Sequence, residues 1–242
     1  MQIKPSINRL GEKAILLQWD FNIAPENLNW LLSIKQILQK HVIESKVQII
    51  NTYNSLLMTY NCSIENIYND FNALKSYDFT GISYEDFKGK LYKLPVCYDV
   101  EFGLDLDELA RRNSLTASEI IHLHTQPVYT LYFMGFLPGF LYLGGMKERL
   151  KISRKKEPRT SVLKGAVGIA ENQTGIYPNS SPAGWQIIGN CPVELFNAHT
   201  ENPCPFKAGD QIQFYSVSKQ EYDKIKQQIK AGKYILKPES HA

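Results

Sequence analysis

Apolar and polar positions in the first part of the chain change period in a regular order. Ala14-Ile15-Leu16-Leu17-Gln18-Trp19 follows a turn at Gly11 and reads as a strand. Pro25 and Glu26 open a helix whose buried side carries Leu28, Leu31, Leu32 and Ile34 to Leu38. Val47 to Ile50 and Ser55 to Tyr60 are strands joined by the turn Asn51-Thr52-Tyr53-Asn54. Ile64, Ile67, Phe71 and Leu74 stand at helical spacing, which predicts a helix from Ser63 to about Leu74. With an opening strand near Ile3 to Leu10, the order is ββαββα, a small α+β sandwich with helices on one sheet face. Residues 76–90 are polar, hold Gly81 and Gly89, show no period and read as a linker.

The texture then changes. A strand begins at Leu94. Asp105 to Arg112 reads as a short helix with Glu108 placed for a capping box, and Thr116 to Gln126 as another with Glu119 in that role. Beyond Pro127 come short apolar runs separated by Gly and Pro: Tyr129 to Phe133, Phe140 to Leu143, Ala166 to Ala170, Trp185 to Gly189, Val193 to Phe196 and Gln211 to Tyr215. Many short strands with turn signals between them predict a β-barrel or sandwich. Ser218 and Glu221 cap a last helix, which Gly232 closes.

Length and composition fit this picture. The 242 residues suit one large or two small domains, and 43% hydrophobic content fills a core. A net charge of +3 is too small for a nucleic-acid binder. The N-terminus lacks the plan of a signal peptide, and Cys62, Cys97, Cys191 and Cys204 form no zinc or disulfide pattern, so a cytoplasmic chain with reduced thiols and no metal site is expected. Cys97 sits in a strand-like run and reads as a buried small hydrophobe. Thr125 to Met146 has no charge, but Pro127, Pro138 and four glycines break it, so it reads as buried strands rather than a membrane span.

Candidate chemistry gathers in one region. Nine of the 15 glycines lie between Gly135 and Gly189, to be divided between tight turns and a pocket floor where a ligand meets the main chain. Between them, Lys147 to Lys164 carries eight basic residues against Glu148 and Glu157, a local balance of +6. Lys155 and Lys156 read as solvated. Arg154 and Arg159 are candidate forks for a carboxylate or phosphate. Gln173 to Pro178 and Ser181 to Gln186 put amide, hydroxyl, phenol and indole groups on turns, where they can orient a ligand. His122 and His124 lie on one helix but not on one face. No phosphate-binding glycine loop or nucleophile elbow occurs.

The ordered segments Gly135-Phe136-Leu137-Pro138-Gly139-Phe140-Leu141-Tyr142-Leu143-Gly144-Gly145, Pro158-Arg159, Gly165 to Ala170, Gln173 to Pro178 and Ser181 to Gly189 resemble the hallmark of the PxpB/KipI family, also known as allophanate hydrolase subunit 1 or carboxyltransferase subdomains C and D. The resemblance reaches upstream through Leu94 to Tyr98, Glu101-Phe102-Gly103 and Leu123-His124, and more weakly to Asn51 to Leu57. There are departures: Asp99 and Ala183 stand where glycines are usual, Ser153-Arg154-Lys155 replaces Pro-Arg-Arg, and Leu163-Lys164 replaces Pro-Ala. Ala183 requires negative φ or a strained turn.

The resemblance implies an α+β chain. Residues 1–88 would form a ββαββα domain, and 89–242 a mainly-β cyclophilin-like barrel with a C-terminal helix. It implies partners, a homologous barrel subunit (PxpC/KipA-like) and a large ATP-using subunit (PxpA-like). Together these would hydrolyse 5-oxoproline, or pyroglutamate, to glutamate. ATP with Mg would serve the complex, and this chain would hold no cofactor. Other members are inhibitors of a sensor histidine kinase, or components of urea carboxylase or allophanate hydrolase. An unactivated lactam resists water, so phosphorylation of its amide oxygen is an apt activation. Such a site needs a cation for the substrate carboxylate, orienting donors and a base. On this reading Arg159, with Arg154, is the cation. Gln173, Thr174 and Tyr177 orient, Phe136, Tyr142 and Trp185 form the wall, and Glu101 or His124 is the base.

Overall fold

The computed structural model describes residues 4–42, 47–61, 64–83 and 89–239. Ile3, Cys62, Ser63, the side chains of Ile64 and Ile67, and residues 84–88 of the expected linker lie outside the described residues. Contacts divide the chain into two units, Met1–Phe87 and Lys88–Ala242.

In the first unit Gly11, at φ +62°, reverses the chain between β1 (Ser6–Arg9) and β2 (Ala14–Gln18). Pro25 begins α1 (Pro25–Ile37), where its missing amide proton costs nothing, and Leu38–Val42 widen to a π-helical turn. β3 (Val47–Asn51) and β4 (Ser55–Tyr60) form a hairpin, and α2 spans Ile64–Ser76. The antiparallel sheet has the order β1-β2-β4-β3. Its apolar positions, among them Ile15, Leu17, Leu56 and Met58, meet Leu31, Ile34, Leu38 and Leu74 of the helices. The stretch read as a polar linker starts inside this core. Phe79 is buried, edge-on to Trp19 at 5.9 Å and to Tyr77 at 4.9 Å.

The second unit holds β5 (Leu91–Val96), α3 (Leu106–Asn113), α4 (Ala117–Thr125), β6 (Val128–Met134) and β7 (Leu141–Gly144). These are followed by β8 (Arg159–Val162), β9 (Ala166–Ala170), β10 (Gln173–Ile176), β11 (Ser181–Ala183), β12 (Gln186–Asn190), β13 (Gln211–Ser216) and α5 (Lys219–Lys230). Seven strands form a sheet of order β12-β9-β10-β7-β6-β13-β5, antiparallel except for the β13–β5 pair. Its two ends meet. The Cys97 amide donates to the Asn190 carbonyl and the Asn190 amide to the Cys97 carbonyl, both at 2.9 Å. The sheet thus closes into a barrel and leaves no free edge at that seam. Gly189 permits the closure, since a Cβ there would lie 2.8 Å from the Cys97 carbonyl oxygen. Cys97 is fully buried, and burial pushes its thiol pKa up.

Strand alternation gives the barrel wall two apolar faces. Leu141, Leu143, Val167, Ile169 and Ile188 point into the interior with Leu94, Val96, Ile212 and Phe214. Ala166, Ala170, Ile187 and Phe140 face outward, where the β8–β11 ribbon covers them with Val162 and Ala183. Several expectations change here. Gln173 to Ile176 and Ser181 to Ala183 are strands rather than turns, and Ala183 pairs with Arg159 without positive φ. Val193 and Leu195 are buried in irregular chain, not in a strand. The Thr116–Glu119 capping box forms, but Asp105 makes no side-chain cap and Glu108 instead pairs with Arg111 and Arg112.

Candidate functional site

The outer face of β7, β9, β10 and β12 carries a cluster of aromatic rings. Phe140 lies at its centre, with ring centroids 4.8 Å from Tyr142, 5.0 Å from Tyr177 and 5.5 Å from Trp185. Glycines make the room. A Cβ on Gly175 would lie 2.7 Å from the Leu141 carbonyl oxygen and 3.1 Å from the Phe140 ring, and one on Gly168 would meet the Trp185 Cβ at 3.1 Å. At these positions the main chain approaches aromatic rings of the protein itself. Phe136 projects above the cluster. Its ring is edge-on to Phe140 at 5.8 Å and to Tyr177 at 6.4 Å, yet it is 64% exposed and its φ is +65°. A bulky residue in the left-handed region is strained, and such strain gathers at functional sites.

Arg154 brings charge to this face. Its guanidinium lies 5.8 Å from the Trp185 ring centroid. Burial raises the Tyr142 phenol pKa and pushes that of Tyr177 up to about 12, and the Arg154 charge tempers both. Beside it opens a cleft of about 530 Å³ that mixes both charges, lined by the cations Arg112, Arg154, Lys155 and Lys156 and the carboxylates Asp105, Glu108 and Glu157, with Ser153 and Gln186. Of these cations, Arg154 and Lys156 make no ion pair among the described residues.

Arg159 is placed differently from the sequence expectation. Its guanidinium grips the buried carboxylate of Asp105, with Nη1 donating to Oδ2 at 2.8 Å and Nη2 to Oδ1 at 2.7 Å. Lys155, expected in solvent, donates to Asp105 Oδ1 at 2.9 Å, and the Ile187 amide donates to Oδ2 at 2.6 Å. Burial alone would raise the Asp105 pKa, but Arg159, the Ile187 amide and Lys155 together hold it below the usual carboxylate range. Arg159 therefore spends its fork on an internal carboxylate, and the cation over the aromatic cluster is Arg154. Nothing in the sequence marks Asp105, since its Arg partner is 54 residues away.

The remaining candidates are not brought together at this face. His124 is fully enclosed, stacked on Phe214 at 4.6 Å. Its Nε2 lies 2.9 Å from Thr174 Oγ1, which donates its own proton to the Gly168 carbonyl. Nε2 is therefore the protonated nitrogen, and Nδ1 accepts from the Tyr98 hydroxyl at 2.7 Å. Burial lowers the His124 pKa to about 3. The ring is sealed in the core with both nitrogens occupied, and Thr174 belongs to the same buried network. Glu101 is exposed, 3.4 Å from Lys219 at the start of α5. Gln173 is half-buried at the head of β10, opposite Ala170. No group of three His, Cys, Asp or Glu able to hold a metal occurs among the described residues, and no described helix is long and apolar enough to cross a membrane.

The fold and this face define a two-unit α+β protein whose larger unit is a closed barrel with an aromatic, cation-topped outer face. The chain belongs to the carboxyltransferase domain, subdomain C and D, family, whose model matches residues 5–206. It is 32% identical over 240 residues to the B subunit of 5-oxoprolinase from Bacillus subtilis, covering 94% of this chain and 99% of that one. It is 46% identical over 129 residues to the B subunit of 5-oxoprolinase from Haemophilus influenzae, covering 53% and 61%. The urea amidolyase of K. lactis shares the fold, with a TM-score of 0.82 at 17% identity over 98% of this chain and 16% of that one.

Proposed function

We propose that this chain is the B-type subunit of a 5-oxoprolinase complex. Water adds across the lactam C–N bond of 5-oxoproline to give glutamate, while ATP and a second water give ADP and phosphate. The observation that carries the reading is the near end-to-end likeness to the B. subtilis 5-oxoprolinase component, at 32% identity. The lower identity to urea amidolyase supports the common fold only, so a urea carboxylase role ranks second. In this reading the flat lactam lies against Phe136 and the rings beneath it, and its carboxylate meets Arg154. His124 is sealed and Glu101 is tied to Lys219, so the base and the ATP site are assigned to the partners. Those partners are a homologous barrel subunit and a large ATP-using subunit. Free thiols at Cys97, Cys191 and Cys204 suit a reducing, cytoplasmic setting.

The test is the reconstituted complex, followed by glutamate formed from 5-oxoproline and ATP. Arg154→Ala should raise KM for 5-oxoproline about tenfold or more, the scale of one lost charge-assisted contact, with a smaller change in kcat. An unchanged KM would remove Arg154 from the site, and no turnover in any combination of subunits would remove the reading.

A further inference from the structure

Arg154 touches no carboxylate within ion-pair distance among the described residues, yet its surroundings are closely held. The carbonyl of Ser153, just before it, accepts from Gln186 Nε2 at 3.1 Å. The amide of Lys155, just after it, donates to the Gly184 carbonyl at 2.8 Å. Both bonds run to the Gly184–Gln186 segment that carries Trp185, the ring beneath the Arg154 guanidinium. One carboxylate ties the two segments together. Asp105 takes Lys155 and Arg159 from the basic segment and the Ile187 amide from β12, and its own amide donates to the Ile187 carbonyl at 2.7 Å. Its side chain is only 4% exposed, so these four donors meet it with little competition from water.

We propose that Asp105 is a positioning residue for the anion-binding face, acting through Lys155, Arg159 and β12 to hold Arg154 over Trp185. Asp105 does not touch the substrate. Its carboxylate takes up the side chains of Lys155 and Arg159 and leaves Arg154 as the cation presented at the aromatic face. A buried ion pair of this kind adds little net stability over apolar packing, but losing one partner frees the segment that the other held. The proposal rests on the substrate reading above only for its kinetic readout.

Trp185 supplies an independent readout, because the other two tryptophans, Trp19 and Trp30, belong to the first unit. In this full chain labelled with ¹⁵N, Asp105→Asn should move or broaden the Trp185 indole N–H resonance in the direction seen for Arg154→Gln. The Trp19 and Trp30 resonances should stay in place. In the reconstituted complex the same variant should raise KM for 5-oxoproline about tenfold while kcat changes by less than about threefold. Asp105→Glu should recover part of both effects. An unmoved Trp185 resonance would overturn the proposal, and so would a loss confined to kcat. If Asp105→Asn does not fold, Arg159→Lys decides. It keeps the charge but removes the fork, and should shift Trp185 in the same direction; no shift would overturn the proposal. An inactive wild-type complex would instead count against the substrate reading, and the indole measurement would still decide the role of Asp105.

Discussion

Burial decides what the ionisable side chains of the second unit can do. In the sequence His124 is a candidate base and Arg159 a candidate fork for a carboxylate or phosphate. What settles them is where their partners lie. Tyr98 and Thr174 close off the two nitrogens of His124, from 26 residues before it and 50 after it. No local pattern reveals such distant partners. The consequence is a pH dependence. Unfolded, His124 titrates near 6.5, whereas folded it titrates at about 3. Above about pH 6.5 both states are neutral and the residue adds no pH dependence. Between there and pH 3 the unfolded chain binds a proton that the native chain refuses. Stability should therefore fall by about 1.4 kcal/mol per pH unit from this group. Urea unfolding followed by tryptophan fluorescence should show no contribution from this group above about pH 7.5 and approach that slope between about pH 5.5 and 4. His124→Gln should be less stable at neutral pH but lack this component. Equal slopes in the two proteins would contradict the assignment.

At the level of elements, much of the second unit could be read from the sequence. β7, β9 and β12 lie on apolar runs because strands buried on both faces leave continuous apolar stretches, whereas β13 was legible by alternation, with Ile212 and Phe214 buried, and β6 by its aromatic and β-branched content. β10 escaped notice because Gln173, Thr174 and Gly175 look like a turn. Thr174 instead faces His124 inside the barrel, and Gly175 faces the Phe140 ring outside it. The run Val193 to Phe196 misled in the opposite sense, since Val193 and Leu195 are buried without a strand partner. The glycine cluster splits by physical cause. Gly165, at φ +84°, needs its backbone freedom, while Gly168 and Gly175 make space for rings. Gly175→Ala should therefore destabilise the protein by about 1–3 kcal/mol, since the new methyl would press on the Leu141 carbonyl and Phe140. Gly11→Ala would test the other cause, because its Cβ meets nothing and only its positive φ resists. If Gly175→Ala unfolds at the wild-type urea midpoint, the ring-cradle account is wrong.

For the whole molecule, the ββαββα order was legible from local period and turn chemistry, which left the second part as a barrel or sandwich, and only the family resemblance pointed to the barrel. The proposed anion site was legible only as a region. The +6 of Lys147 to Lys164 is divided by the fold. Lys151 meets Glu148, Lys164 meets Glu194, and Lys155 and Arg159 share Asp105. What remains at the aromatic face is Arg154, with Lys156 across the cleft. A charge sum along the chain cannot make that division, because Asp105 and Glu194 enter from outside the segment. On the proposed function, the second unit is a barrel that offers a cationic, aromatic face, and other subunits supply the rest of the chemistry. The most direct test is to assemble this chain with a homologous barrel subunit and a large ATP-using subunit, omitting each in turn, and to measure glutamate formed from 5-oxoproline and ATP. Turnover should require all three chains and stop when this one is withheld. Full activity without it would contradict the account.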